Sequence, residues 1–197
     1  WCKDLLRLTG NPPPLSAVPL SKRPFMGVDA IGRSDDIKWI EKSDGDLVIS
    51  GQPGSGKTFL LHQLAKQGKG LFVVSQHRTE IAEAIRDQEP TVLFVDDAHV
   101  VPQLLLDLLQ IRKELGIKFR IIATCWPKEQ EAILNQLSLS QGALRELELL
   151  SRNEILELIK ICGIHGPERL QYELINQAEG RPGLAVTLCH ICWRGDL

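Results

Sequence analysis

Four short apolar runs recur through the middle of the chain: Leu47-Val48-Ile49, Leu71-Phe72-Val73-Val74, Val92-Leu93-Phe94-Val95 and Phe119-Arg120-Ile121-Ile122-Ala123. Each is nearly continuous in apolar character rather than alternating, the pattern of a strand buried on both faces of a parallel sheet. The stretches between and after them, residues 57–66, 79–86, 101–115 and 128–137, are amphipathic and long enough to be crossover helices. A fifth strand is expected at residues 144–149. Strand and helix alternating with right-handed crossovers predict a three-layer α/β domain that binds its ligand at the carboxyl ends of the strands.

The pattern changes on both sides of this region. Before it, Asn11-Pro12-Pro13-Pro14, Pro19 and Pro24 rule out a regular helix or a central strand, so residues 1–30 read as an extended lead-in or linker. A short helix then carries Ile37 and Ile40 on one face, with Ser34 or Asp35 as its cap. After Leu150 the strand signal disappears. Ser151-Arg152-Asn153-Glu154 caps a helix running through Ile155, Leu158, Ile159 and Cys162. A second helix spans residues 168–178, and a third follows Pro182-Gly183 with Leu184, Val186, Leu188 and Ile191 among its apolar positions. The expected organisation is a lead-in at 1–30, an α/β domain at 31–150 and a small helical lid at 151–197.

Chemistry enters at Gly51-Gln52-Pro53-Gly54-Ser55-Gly56-Lys57-Thr58, which fits G-x-x-x-x-G-K-[ST] at every position and lies between a strand and a helix. The glycines let the backbone curl so that N–H groups face phosphate oxygens, and the helix N-terminus adds partial positive charge. Lys57 would reach the β and γ phosphates, Thr58 would ligate magnesium, and Phe59 follows in the first helical turn. The expected ligands are ATP or ADP with Mg2+. The third strand ends in Asp96-Asp97-Ala98-His99. Asp96 is the candidate magnesium ligand and Asp97 the candidate for orienting or deprotonating water, although an Asp-Asp pair alone also fits a capped turn. His99 is compatible with γ-phosphate sensing or with a surface role.

This arrangement resembles the additional-strand class of P-loop ATPases, to which AAA+ and STAND proteins belong, and the resemblance implies a strand order of 5-1-4-3-2. It also implies a polar sensor at the end of the fourth strand, here Thr124. Gly32-Arg33 resembles the Gly-Arg with which the STAND group, including its NACHT and NB-ARC types, begins its nucleotide-binding region and frames the adenine. Leu147-Glu148-Leu149-Leu150-Ser151 is similar to the entry of their helical lid, and Gly180-Arg181-Pro182 to a Gly-x-Pro motif that brings Pro182 near the base. One departure stands out: Thr124-Cys125-Trp126-Pro127 has a tryptophan where several members carry an arginine. The resemblance implies a slowly hydrolysing ATP-dependent switch within a larger signalling or defence protein that homo-oligomerises on activation, and the absence of a secretory or membrane-spanning pattern reads as cytoplasmic.

A net charge of −2 gives no basic field to suggest nucleic acid, and no run approaches the roughly twenty apolar residues of a membrane span. Five cysteines at irregular spacing fit reduced thiols better than a disulfide framework. Cys162, His165, Cys189 and Cys192 permit a zinc site by spacing, and equally two amphipathic helices whose small apolar residues are thiols. Two other functions stay open. An AAA+-like motor or loader acting on DNA or protein would need an arginine finger, for which Arg112, Arg120 and Arg145 are candidates. A scaffold locked on ADP would turn over scarcely at all.

Overall fold

The computed structural model describes residues 13–19 and 30–194. Most of the proline-rich lead-in, including Pro12 and Pro24, lies outside the described residues.

Six strands form one sheet: β1 (Leu15–Ser16), β2 (Leu47–Ser50), β3 (Leu71–Val73), β4 (Val92–Val95), β5 (Arg120–Cys125) and β6 (Leu144–Glu146). Their spatial order is β1-β3-β4-β5-β2-β6, with β1 antiparallel to β3 and all other neighbours parallel. The five parallel strands therefore take the expected order, and the lead-in supplies a sixth. Its residues pair only along the outer edge of β3, where the prolines around them cost the sheet no interior hydrogen bonds. The last strand stops at Glu146, shorter than the run to residue 149 that its apolar residues suggest; Leu147 and Leu150 are buried, but beyond the strand.

The helices of the α/β unit are α1 (Ser34–Lys42), α2 (Lys57–Lys66), α3 (Arg78–Gln88), α4 (Pro102–Leu115) and α5 (Gln130–Gln136). Ser34 is the first residue of α1 and Arg33 occupies the cap position without a side-chain bond, so neither Ser34 nor Asp35 caps this helix. Two apolar layers enclose the sheet. One centres on Leu93, Ile121, Leu105 and Leu108, the other on Ile49, Leu60, Leu61, Leu64 and Phe94, all at most 1% exposed. Each such buried leucine is worth about 2 kcal/mol of transfer free energy, so α2 is held to the sheet along its length.

The remaining helices, α6 (Arg152–Ile161), α7 (Glu168–Ala178) and α8 (Pro182–Arg194), pack around Ile155, Ile159, Leu174, Ala185 and Cys189. The predicted capping box is formed: Ser151 accepts from the Glu154 N–H, and Glu154 accepts from Ser151. Cys162 and Cys189 are buried in this third core, where donation to Cys162, and then burial, push the Cys189 thiol up; His165 is exposed. Among the described residues no group of three His, Cys, Asp or Glu side chains converges to hold a metal ion, and no helix is long and apolar enough to cross a membrane.

Candidate functional site

The strand order decides which residues meet. β5 lies between β2, which leads into the P-loop, and β4, which leads into Asp96-Asp97. Register places Thr124 opposite Ile49 on one side, while Ala123 pairs with Val95 on the other. Thr124 therefore emerges between the two motifs. Three residues distant in sequence are thus brought together at the carboxyl edge of the sheet, as expected for this class of fold.

The P-loop follows β2 directly. Gly54 and Gly56 have φ values of +84° and +98°, and Gly56 caps α2 from the left-handed region, which a side chain would strain. Lys57 is buried, and its Nζ donates to Gly51 O at 2.6 Å and Gln52 O at 3.2 Å, folding the side chain back over the loop. Gln52 and Pro53 are exposed at the loop tip, whereas Ser55 is fully buried and its hydroxyl has no hydrogen-bond partner among the described residues. Phe59 lies half-buried in the first turn of α2.

Asp96 is held from both sides. Thr58 Oγ1 donates to its Oδ2 at 2.8 Å and Thr124 Oγ1 donates to its Oδ1 at 2.7 Å. Burial pushes the Asp96 carboxyl above its ordinary value, and the negative charge of Asp97 adds to this; the two hydroxyls and Lys57 pull the other way. The same Thr124 hydroxyl accepts the Asp97 N–H at 2.8 Å. Asp97 itself has a φ of +47°, uncommon for a non-glycine residue, and opens a short 3-10 turn at Ala98–Val100. Thr124 thus fixes one acid by its side chain and the other by its backbone. Its single hydrogen points to Asp96.

The Thr58 hydroxyl and the Asp96 carboxylate are hard oxygen donors in hydrogen-bonding contact, the set a magnesium ion takes, so these two residues fit that ion.

The residues before the sheet and in the helical unit close on the same loop. Arg33 is buried; its Nη2 donates to Ser55 O at 2.9 Å and to Glu148 O at 2.7 Å, and its Nη1 reaches Asp36 Oδ2 at 3.5 Å. Desolvation lowers its pKa, with Asp36 opposing. Both of its Nη nitrogens thus meet protein oxygens. Gly32 sits in the turn before α1, against Glu154 and Leu150. At the start of α8, a methyl on Gly56 would lie 3.4 Å from Pro182 Cγ, and Gly183 N–H donates to Gly54 O at 2.9 Å. The proline is therefore seated on the phosphate loop.

Sequence reasoning missed Asp36 and offered Arg145 only as an arginine-finger candidate, whereas Arg145 Nε donates to Asp36 Oδ1 at 2.7 Å. The three-residue spacing from Arg33, at the cap, to Asp36 in the first turn of α1 was the available signal. The remaining arginine-finger candidates are also tied within the chain. Arg112 makes a two-pronged pair with Asp46, both contacts at 2.8 Å, and Arg120 donates to Ile40 O and Ser43 O. His99 meets Trp126 in a tilted ring contact, centroids 4.8 Å apart and planes at 43°, and Trp126 is half exposed.

No protein-family model matches the chain, and no curated protein matches it. Solved structures do, at low identity. A structure from work on katanin self-assembly is 19% identical with a TM-score of 0.60, covering 82% of this chain and 68% of that one. The ADP complex of Hsp104 from S. cerevisiae is 18% identical with a TM-score of 0.60, covering 85% of this chain but 31% of its own. A STAND protein of Pyrococcus horikoshii with a tetratricopeptide repeat sensor is 17% identical with a TM-score of 0.50, covering 84% of this chain and 30% of that one. The chain thus has the fold of AAA+ and P-loop ATPases, and it spans about a third of the length of the Hsp104 and STAND chains.

Proposed function

We propose that this chain is the ATP-binding, slowly hydrolysing module of a STAND-type switch, in which bound nucleotide sets how helices α6 to α8 sit on the α/β unit. The observation that carries the reading is the seat of Pro182-Gly183 on the P-loop, next to an intact Thr58–Asp96–Thr124 chain of hydrogen bonds. A helical unit that touches the phosphate loop directly has differential contacts to offer ATP and ADP, which a nucleotide switch requires.

In the proposed reaction the Gly51–Phe59 segment cradles the phosphates and Lys57 leaves its loop carbonyls to meet the β and γ oxygens. Magnesium, held by Thr58 and through water by Asp96, would neutralise phosphate charge. Asp97 orients a water and accepts its proton as the water oxygen bonds to the γ phosphorus, while the bond to the β–γ bridging oxygen breaks. Thr124 acts by holding both acids in place. Gly32, Arg33 and Pro182 form the wall towards the base, with Arg33 acting on the loop.

Homo-oligomerisation, the cytoplasm as its setting, and signalling or defence as the purpose of the parent protein belong to the same reading. An AAA+-like motor is the alternative. The engagement of Arg112, Arg120 and Arg145 inside the chain favours the switch, because an arginine finger needs a guanidinium offered to the neighbouring subunit.

Nucleotide identification after purification tests the proposal. Retained ADP, released slowly, supports it; a nucleotide-free protein with turnover stimulated by DNA or an unfolded protein favours the motor. Substituting Asp97→Asn separates switch from scaffold: the switch predicts trapped ATP and an altered assembly state, and an unchanged profile by native mass spectrometry would point to an ADP-locked scaffold.

A further inference from the structure

A single buried guanidinium connects the P-loop to the entrance of the helical unit. Arg33 Nη2 donates both of its hydrogens to main-chain oxygens, Ser55 O in the P-loop and Glu148 O in the connection between β6 and α6. The two hydrogens of one guanidinium nitrogen lie in a plane at a fixed angle, so the two carbonyls are held in a fixed relation. Asp36 keeps the plane from turning by engaging Nη1, and Arg145 on β6 holds the other oxygen of Asp36.

The peptide plane converts that grip into an effect on the ligand side. A trans peptide is rigid, with its carbonyl and the following N–H pointing in opposite directions, so fixing Ser55 O fixes the direction of the Gly56 N–H. Likewise Gly183 N–H on Gly54 O fixes the plane shared with the Ser55 N–H, which itself donates to Gln52 O at 3.0 Å. Two successive P-loop peptides are therefore oriented by groups on or beside the helical unit. Of the two N–H groups, the one set by Arg33 is at the cap of α2, where anions bind.

We propose that Arg33 is a positioning residue that aims the Gly56 N–H at the nucleotide phosphates according to where the Glu148 connection sits, and so makes phosphate binding depend on the docking of the helical unit. This rests on the reading of Gly51–Thr58 as a nucleotide site. If the connection shifts, Nη2 must release either Glu148 O or Ser55 O, and releasing Ser55 O frees the peptide plane.

The test compares phosphate binding with base binding. The full chain and its Arg33→Lys and Arg33→Met variants are titrated with a fluorescent ADP analogue plus magnesium, and magnesium pyrophosphate is used as a competitor. Arg33→Lys keeps the charge and a single donor nitrogen but not the planar fork, so both variants should lose about tenfold or more in affinity, by the usual scale for charged hydrogen bonds. The loss should be equal for the ADP analogue and for pyrophosphate, because Arg33 acts through the loop. A variant that loses the ADP analogue but competes normally with pyrophosphate would overturn the proposal and make Arg33 a base contact. Wild-type affinity in Arg33→Lys would overturn it too, and that variant decides the matter should Arg33→Met not fold. Failure of the unsubstituted chain to bind either ligand would instead overturn the nucleotide reading beneath it.

Discussion

Substituting Thr124→Val removes one oxygen from the centre of the site and changes almost nothing in volume. Thr124 is fully buried, donates to Asp96 at 2.7 Å and accepts the Asp97 N–H at 2.8 Å. Loss of a hydrogen bond to a charged group costs about 1.5–3 kcal/mol, and an orphaned buried N–H costs about 1–3 kcal/mol. Because one hydroxyl serves both groups the costs overlap, and a total of about 2–4 kcal/mol is expected. The cost depends on pH. The Thr124 bond pulls the Asp96 carboxyl down against burial, so its removal raises that carboxyl further and makes the ionised form still less favourable. Asp96 is protonated more readily in the folded variant, and the penalty is therefore smaller at pH 5 than at pH 8. Urea denaturation at both pH values measures it, with Thr124→Ser as the control that keeps the hydroxyl and gives up one buried methyl, worth about 1 kcal/mol. A Val cost no larger than the Ser cost, or a cost growing as pH falls, would refute the reasoning.

Two further substitutions probe the same edge of the sheet. Asp96→Asn should raise stability in EDTA at pH 8 while abolishing magnesium-dependent nucleotide binding: a carboxyl whose folded pKa is raised stabilises below its unfolded value and loses that contribution as pH climbs through the folded one. The gain in melting temperature should shrink towards pH 4, and a variant less stable than the unsubstituted chain at pH 8 would contradict the burial argument. Gly183→Ala places a methyl 3.1 Å from Gly54 Cα and O, against backbone that has little room to move. Overpacking of this kind costs about 1–3 kcal/mol where the contact is kept, so the N-terminus of α8 should lift and ADP affinity fall about tenfold; unchanged affinity would mean that the P-loop does not sense α8.

The parallel core of the fold was legible because its signals are local. Continuous apolar runs such as Val92–Val95 and the Ser151–Glu154 capping box carry their structure within a few residues. Leu15–Ser16 was not, since two residues among prolines have no periodicity and gain strand geometry only from the edge of β3. Within the candidate site, Lys57, Thr58 and Asp96 could be proposed from spacing and context alone. The part played by Thr124 could not, because it depends on β5 lying between β2 and β4 and on the register that sets Thr124 beside Ile49. The protein partners of Arg33 could not be named either. Which oxygens a buried guanidinium meets depends on contacts 22 and 115 residues away, information that no local pattern carries.

The most direct measurement is a calorimetric titration of the full chain with ADP and with ATP, each with and without magnesium, repeated on Lys57→Ala. The account predicts saturable one-to-one binding of both nucleotides, weaker ATP binding in EDTA, and loss of both in Lys57→Ala while that variant still unfolds cooperatively. Absence of saturable binding to the unsubstituted protein at millimolar nucleotide would contradict it.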